Sequence, residues 1–272
     1  MEYHPPVGME PLDDYRPGGY HPVKPDDLLS NGRYRIVHKL GYGGYSVIWL
    51  ARDQRLDRYV ALKIAKSLQN EHLYREVAAL QVLSADNPVP KALDQFSVGG
   101  KNGTHACYTM PVAAGNLANA KYDDVFPVQV ARAFSAKFTL TIASFHARGY
   151  CHEDLRLQNI PAKLDVNIDD LDVDQFRQTV GSPKLSPVER LDDKTPSEHV
   201  PREVCPPLRF LGKTADEFTL EDAKNIIVAD FGQAWQPDKN PLRLHISRGH
   251  RDDGLYALRT HEFHTCVARV LS

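Results

Sequence analysis

Apolar and polar positions change their period several times along this chain. Tyr34, Ile36, Val37 and Leu40 suit a first strand, and Ser46 to Ala51, with β-branched Val47 and Ile48, a second. Tyr59 to Ala65 reads YVALKIA and alternates as a half-buried strand. The period then lengthens. In Glu71 to Leu83, residues Leu73, Glu76, Leu80 and Leu83 fall at i, i+3, i+7 and i+10, which is one face of a helix. Pro88 to Gly103 reads as loop and short strand, with turn signals at Asn87-Pro88 and from Gly99 to Gly103. His105 to Val112 suits a strand that enters a linker, Pro111 to Gly115, the candidate hinge between two lobes. Val128 to Arg148 is the clearest helix: Ala131, Phe134, Phe138, Ile142 and Phe145 recur at helical spacing, and Gly149 supplies a stop. These aromatics read as core. Asn225 to Ala229, NIIVA, reads as a short apolar strand.

Two stretches carry no period. Residues 1–30 hold six prolines with Gly8, Gly18 and Gly19 among them, a composition that predicts neither helix nor ladder. This arm either docks through Tyr20 and Val23 or is a disordered tail. Residues 161–220 form a proline-rich, charged insert, expected to be mostly extended or mobile. Within it, Asp172 to Val180 suits a short helix stopped by Gly181, and Thr219-x-x-Asp222 suits a capping box. The expected organisation is an arm over 1–30, a small lobe over 31–112, a second lobe over 113–232 that carries the insert, and a tail over 233–272.

The totals narrow the picture. The chain has 272 residues, 42% hydrophobic and 25% charged, with formal net charge −2. That suits a globular unit with a real core and gives no electrostatic case for nucleic acid or membrane binding. Cys107, Cys151, Cys205 and Cys266 are scattered and lack C-x-x-C spacing, so reduced thiols and a cytoplasmic or nuclear location are expected. The N-terminus is acidic, with no apolar run, and does not read as a signal peptide.

Candidate chemistry gathers at four places. Cys151 to Ile160 reads CHEDLRLQNI and spaces His152, Asp154 and Asn159 as H-x-D-L-x-x-x-N. Asp154 is a carboxylate that could take a proton from an attacking hydroxyl, and Asn159 could offer an oxygen to a hard cation such as Mg²⁺. A polar turn reads the same way in isolation. Gly41-Tyr42-Gly43-Gly44-Tyr45-Ser46 lies between two strand-like runs, where glycines let backbone N–H groups approach phosphates, or simply make a hairpin turn. Lys63 sits among apolar neighbours and Glu76 on the apolar stripe of its helix. Either the two pair, or Glu76 edges into solvent and Lys63 snorkels. Asp230-Phe231-Gly232 suits a metal-binding turn at a strand end, among other turns.

Taken together and in this order, Leu40 to Ser46, Val60-Ala61-Leu62-Lys63, Glu76, the His152/Asp154/Asn159 loop and Asp230-Phe231-Gly232 resemble the eukaryotic protein-kinase signature set. Ser46 followed by Val47-Ile48-Trp49-Leu50, with Gly32-Arg33-Tyr34 and Tyr20-His21-Pro22-Val23 upstream, looks like the SR-protein kinase family, in particular its fungal relatives. The likeness runs roughly from Tyr20 to Gln233. It implies a bilobal α+β fold with a β-rich small lobe, and a serine/threonine kinase that uses ATP and Mg²⁺. Implied partners are ATP and a protein substrate, arginine–serine-rich sequences among the candidates. By the same likeness, the backbone of Gly41, Tyr42, Gly43, Gly44, Tyr45 and Ser46 would cover the phosphates of ATP. Lys63 would hold the α- and β-phosphates, positioned by Glu76. Asp154 would orient the substrate hydroxyl, with Arg156 near the γ-phosphate, and Asn159 and Asp230 would bind Mg²⁺. Leu40, Ile48 and Ala61 would sandwich the adenine. Met110 would be the gatekeeper, and the backbone of Pro111 and Ala113 would meet the adenine edge.

Three departures qualify the likeness. Glu153 stands where many kinases carry arginine, a residue that SR-protein kinases also lack, so control by activation-loop phosphate is not expected. Arg156 replaces the usual lysine and keeps the charge with a fork geometry. Only 40 residues follow Gly232, with no A-P-E segment, so an incomplete large lobe and weak transfer are expected. A binding-only pseudokinase therefore stays open as the second reading. A small-molecule phosphotransferase shares H-x-D-x-x-x-x-N, but the glycine loop and Asp230-Phe231-Gly232 argue against it. His261-x-x-His264-x-Cys266 invites a metal reading that no second ligand cluster supports.

Overall fold

Antiparallel pairing organises the N-terminal part of the molecule. The computed structural model describes residues 3, 8–85, 88–120, 125–164, 166–192, 194–208 and 213–237. The tail beyond 237, with His261, His264 and Cys266, and Asn87 of the expected turn lie outside them. Strands β1 (Leu28–Leu29), β2 (Tyr34–Tyr42), β3 (Ser46–Asp53), β4 (Arg58–Ala65), β5 (Asp94–Gly100) and β6 (Gly103–Met110) form one sheet in the order β1-β2-β3-β4-β6-β5. Every neighbouring pair is antiparallel. Helix α1 (Asn70–Leu83) follows β4 and buries Leu73, Val77, Leu80 and Leu83 with Ala65, Ala106 and Tyr108.

The half-buried alternation expected for YVALKIA does not occur. All seven residues from Tyr59 to Ala65 are buried. The cause is a second cover on the sheet. Trp49, Leu62 and Ile64 point away from α1, and onto them pack Leu12, Tyr15, Tyr20 and Val23 of the arm and Val188, Val200 and Val204 of the insert. A strand buried on both faces loses its polar alternation.

The arm is therefore neither a tail nor free of regular structure. Residues Leu12–Asp14 form a 3₁₀ turn and Leu28–Leu29 a strand paired with β2. Gly19 is obligatory: a Cβ there would lie 1.8 Å from the Asp14 carbonyl oxygen. Backbone bonds run from Gly18 N–H to Asn102 O and from Ser67 N–H to Gly19 O, at 2.7 and 3.1 Å. Lys39 of β2 reaches Glu10 of the arm at 2.6 Å, with both side chains buried and the Tyr15 hydroxyl donating to the same carboxylate. Removing either charge would leave the other stranded in the core.

His21 adds a pH dependence to this docking. Its ring lies 4.8 Å from that of His105, whose Nδ1–H donates to the Ala65 carbonyl. Burial, reinforced by His105 and opposed by Asp27, pushes His21 from 6.5 down to about 4. The unfolded chain thus takes up a proton that the folded one refuses, so this contribution is intact above pH 6.5 and is lost as the pH falls towards 4. The loss should reach about 2–3 kcal/mol. Urea midpoints followed from pH 7 to 4 should fall less steeply in His21→Phe than in the wild type. Parallel profiles would refute the assignment.

The chain leaves the sheet through Pro111-Val112 and enters β7 (Ala113–Asn116), so the irregular hinge is only two residues long. Beyond it come α2 (Leu117–Ala120), α3 (Val128–Ala147), β8 (Pro161–Lys163), α4 (Val173–Val180), β9 (Ser186–Pro187), β10 (Glu203–Val204) and α5 (Leu220–Lys224). The expected long helix is α3. It closes with Gly149 at φ 74°, Tyr150 N–H on the Phe145 carbonyl and Gly149 N–H on that of His146, the two bonds of a Schellman stop.

Most described residues of the insert lie outside helix and strand, as expected, but its apolar anchors tie it to the sheet. β8 pairs with β7 beneath the hinge. α4 ends at the expected Gly181 stop and is capped by Asp172, and its Val173 and Phe176 join Val37, Leu50 and Tyr59 of the sheet. Arg177 bridges to Asp26 and the Asp169 carboxylate accepts from Tyr59 N–H. β9 and β10 form an antiparallel ladder two residues long whose surroundings complete the outer cover of the sheet. Among the described residues, no helix is long and apolar enough to cross a membrane, and Cys107, Cys151 and Cys205 are free thiols.

Candidate active site

Strand register puts five of the relevant side chains on one face. Lys63 of β4 stands opposite Ile48 of β3 and Tyr108 of β6, and Ala61 opposite Met110. Directly opposed residues point to the same side of a sheet, and residues two apart do so along a strand. Ile48, Ala61, Lys63, Tyr108 and Met110 therefore share a face, the one that α1 crosses. Leu40 lies half-buried with Val112 and Leu164 against Val37, Leu50 and Tyr59.

Lys63 is the centre of a buried charge cluster. Its Nζ donates to Glu76 Oε2 at 2.7 Å and to Asp230 Oδ1 at 2.9 Å. The alternative in which Glu76 faces solvent is excluded, because its side chain is 2% exposed. The Tyr108 hydroxyl donates to Met110 Sδ at 3.6 Å. Burial alone would lower the Lys63 ammonium, but Asp230 and Glu76 outweigh it and hold it well above the usual lysine range. Burial raises Glu76 despite Lys63. Lys63 holds the Asp230 carboxyl below its usual range. Asp230 is 42% exposed, so it presents carboxylate to the open side of the site. Its backbone is left-handed, φ 66°, a conformation seldom held by a non-glycine residue without a local reason.

The loop from Cys151 to Ile160 is stitched to the segment that carries Asp230. Cys151 and Trp235 exchange backbone hydrogen bonds, and Ala229 N–H donates to the Asn159 carbonyl at 2.9 Å. Residues 226–229 belong to no strand: Val228 N–H goes to the Pro88 carbonyl and Ala229 N–H to Asn159. The apolar strand expected there is absent, since its neighbours are single loop residues, not a sheet edge. His152 is buried, which lowers its pKa and keeps the ring neutral. Its Nε2 bonds the Ala229 carbonyl at 2.9 Å, its Nδ1 accepts from Asp154 N–H at 3.3 Å, and its ring meets Phe231 edge-on at 4.5 Å. Asn159 Nδ2 donates to both the carbonyl and the Oδ2 of Asp154, at 2.8 and 3.0 Å. Arg156 reaches the same Oδ2 at 3.2 Å, but both side chains are solvated, so this pair adds charge more than stability.

Gly41, Gly43 and Gly44 are not required by the chain itself. None has a positive φ, and no atom lies within 4 Å of an added Cβ. Open space above a glycine turn suits close approach of a ligand to the backbone. Gly43 N–H closes the turn on the Ser46 carbonyl at 2.9 Å, and Lys66 N–H holds the Tyr45 carbonyl at 2.8 Å. Tyr45 stacks on His72 of α1 at 4.4 Å, and His72 Nδ1 lies 3.2 Å from the Gly232 carbonyl. Ala113, in β7, pairs with Lys163 of β8.

The donor set fits a hard cation. Asp230 offers a carboxylate, and with Nδ2 of Asn159 committed to Asp154, its oxygen is the amide atom left for a ligand. Among the described residues no cluster of three or more His, Cys, Asp or Glu side chains could hold a metal. Mg²⁺ takes one or two protein oxygens and completes its shell with water and phosphate, so donors of this kind would suffice for it.

Three contributors escape a reading of the sequence alone. Tyr20, from the arm, donates to Gly43 O, and Tyr108 stands opposite Lys63 across the sheet. Only tertiary register reveals these two. His72 lies four residues before Glu76, on the same helical face, and that spacing was a usable signal.

A solved kinase-domain crystal structure matches this chain with a TM-score of 0.52, over 80% of this chain and 55% of that one, at 16% identity. The fold is therefore that of a protein kinase, α+β and bilobal. In sequence the chain is similar to several SR-protein kinases. It is 34% identical over 167 residues to the serine/threonine-protein kinase SKY1 of Saccharomyces cerevisiae, a match covering 56% of this chain and 22% of that protein. It is 37% identical over 118 residues to SRSF protein kinase 3 of Homo sapiens, covering 40% and 21%. It is 34% identical over 167 residues to the serine/threonine-protein kinase SRPK of Physarum polycephalum, covering 56% and 38%. The chain thus spans well under half the length of each of these relatives. No family model matches it.

Proposed function

We propose that this protein binds Mg²⁺–ATP between its lobes and transfers the γ-phosphoryl group to a serine or threonine hydroxyl of a protein substrate, an arginine–serine-rich one. One observation carries the reading: Lys63 is held between Glu76 and Asp230, on a segment stitched to the loop that carries Asp154 and Asn159. In this reading the backbone of Gly41 to Ser46 covers the triphosphate, and the Lys63 ammonium, kept charged by its two carboxylates, holds the α- and β-phosphates. Leu40, Ile48 and Ala61 enclose the adenine, beside Met110 and Ala113. Asp154 accepts the proton as the substrate oxygen forms its bond to the γ-phosphorus and the bond to the ADP oxygen breaks. Arg156 adds positive charge beside Asp154. Asn159 and Asp230 are the groups that would hold Mg²⁺, which supplies neutralisation of phosphate charge when bound. Relatives that carry the name serine/threonine-protein kinase support the reaction class. A cytoplasmic or nuclear location belongs to the same reading.

Mg²⁺–ATP should raise the melting temperature, because a ligand present at 100 times its Kd stabilises by about 2.7 kcal/mol. Labelled ATP should then pass phosphate to an arginine–serine repeat peptide. A folded sample with no thermal shift at millimolar Mg²⁺–ATP would overturn the nucleotide site. Binding without transfer would leave a protein that acts by binding.

A further inference from the structure

The mechanism does not use Tyr20, yet its side chain ends on the loop proposed to cover the phosphates. Its hydroxyl donates to the Gly43 carbonyl at 2.7 Å. Its other anchors are two backbone bonds, Lys66 N–H on the Tyr45 carbonyl and Gly43 N–H on that of Ser46, and the stacking of Tyr45 on His72. Tyr20 is itself firmly placed. It is 2% exposed, its N–H donates to Asp14 O, and its carbonyl accepts from Asn102 Nδ2 at 2.7 Å. The Lys66 ammonium lies 4.3 Å over its ring and bridges onward to Asp14 at 2.8 Å. Burial, helped by the Asp14 and Glu10 carboxylates, raises its pKa, so the hydroxyl remains a donor.

A turn containing Gly43 and Gly44 has high conformational entropy when unheld. If the ligand must order it, that cost weakens binding, and an anchor present beforehand removes part of the cost. We infer that Tyr20 is a positioning residue: through Gly43 it holds the glycine loop ready for the triphosphate, making the N-terminal arm part of the nucleotide site. The inference rests on the nucleotide reading for its consequence, but not for the hold on the loop.

Tyr20→Phe removes the hydroxyl and keeps the ring, and Tyr15→Phe, equally buried in the arm, serves as control. Three readouts are compared in the full chain: affinity for Mg²⁺–ATP, affinity for adenosine, and nucleotide-free amide exchange from Gly43 to Ser46. In Tyr20→Phe, we expect ATP affinity about 3–10-fold weaker, as for one lost hydrogen bond. Adenosine affinity should be unchanged, and loop exchange faster while α1 keeps its protection. Peptide KM should stay constant while ATP KM rises. Equal losses for ATP and adenosine would overturn the inference, as would unchanged loop exchange or the same loop effect in Tyr15→Phe. If the wild type binds no nucleotide, the proposed function fails by itself. Faster loop exchange in Tyr20→Phe would then still support the brace, and unchanged exchange would overturn it.

Discussion

Asp154→Asn should lower phosphate transfer to an arginine–serine peptide by about 10²–10⁴-fold, the usual contribution of a positioned proton acceptor. Mg²⁺–ATP affinity should change little. The substitution keeps the side-chain volume, and Asp154 touches neither Lys63 nor the glycine loop in any bond described above. Its backbone carbonyl would still accept from Asn159, so the turn has a reason to persist. Only Oδ2 loses its role, since an amide in its place can present a donor to Asn159 Nδ2 and to Arg156, where the carboxylate accepted from both. The check is a rate comparison at saturating ATP, with thermal shifts run alongside. Equal transfer by both proteins would remove Asp154 from the mechanism. A lost thermal shift would mean that the loop had collapsed and that the rate says nothing about proton transfer.

Glu76→Ala should destabilise the protein by about 3 kcal/mol, the lower end of the cost of breaking a buried ion pair. Lys63 is too buried to regain water when its partner goes. Two features soften the effect: Asp230 remains at 2.9 Å, and its exposed side allows it to adjust. The same rescue predicts a functional cost. With Glu76 absent, Lys63 is drawn wholly towards Asp230, and one group in the proposed cation site becomes a counter-ion for lysine. Mg²⁺–ATP binding should therefore weaken beyond what the stability loss explains. Glu76→Gln, which keeps an acceptor for Lys63, should recover most of the stability and less of the binding. Denaturant midpoints give the first quantity, and titration below the unfolding range gives the second. A Glu76→Ala protein as stable as the wild type would show that Asp230 alone satisfies Lys63.

Where the chain repeats a pattern, its sequence was sufficient. The β2–β3–β4 run, α1 and α3 are visible because strand and helix periods are local properties of neighbouring residues. The observed bounds of α1 differ from the expected ones by a single residue. The spacing of Asp154 and Asn159 is also local, so their hydrogen bond was within reach of the sequence. Pairing of Lys63 with Glu76 was one of two open readings, and burial at 2% exposure decided it. The arm and the insert were different. Leu12, Tyr15, Tyr20, Val23, Val188 and Val204 occur singly among prolines and charges, so no period marks them. They are ordered because the outer face of the sheet gives each an apolar seat, and that face exists only once the strands have paired. The second partner of Lys63, 167 residues away, and the hydroxyl on Gly43 have the same origin. Both are meetings of distant segments, decided by how the chain closes on itself and by the cost of leaving a buried charge or polar group unpaired.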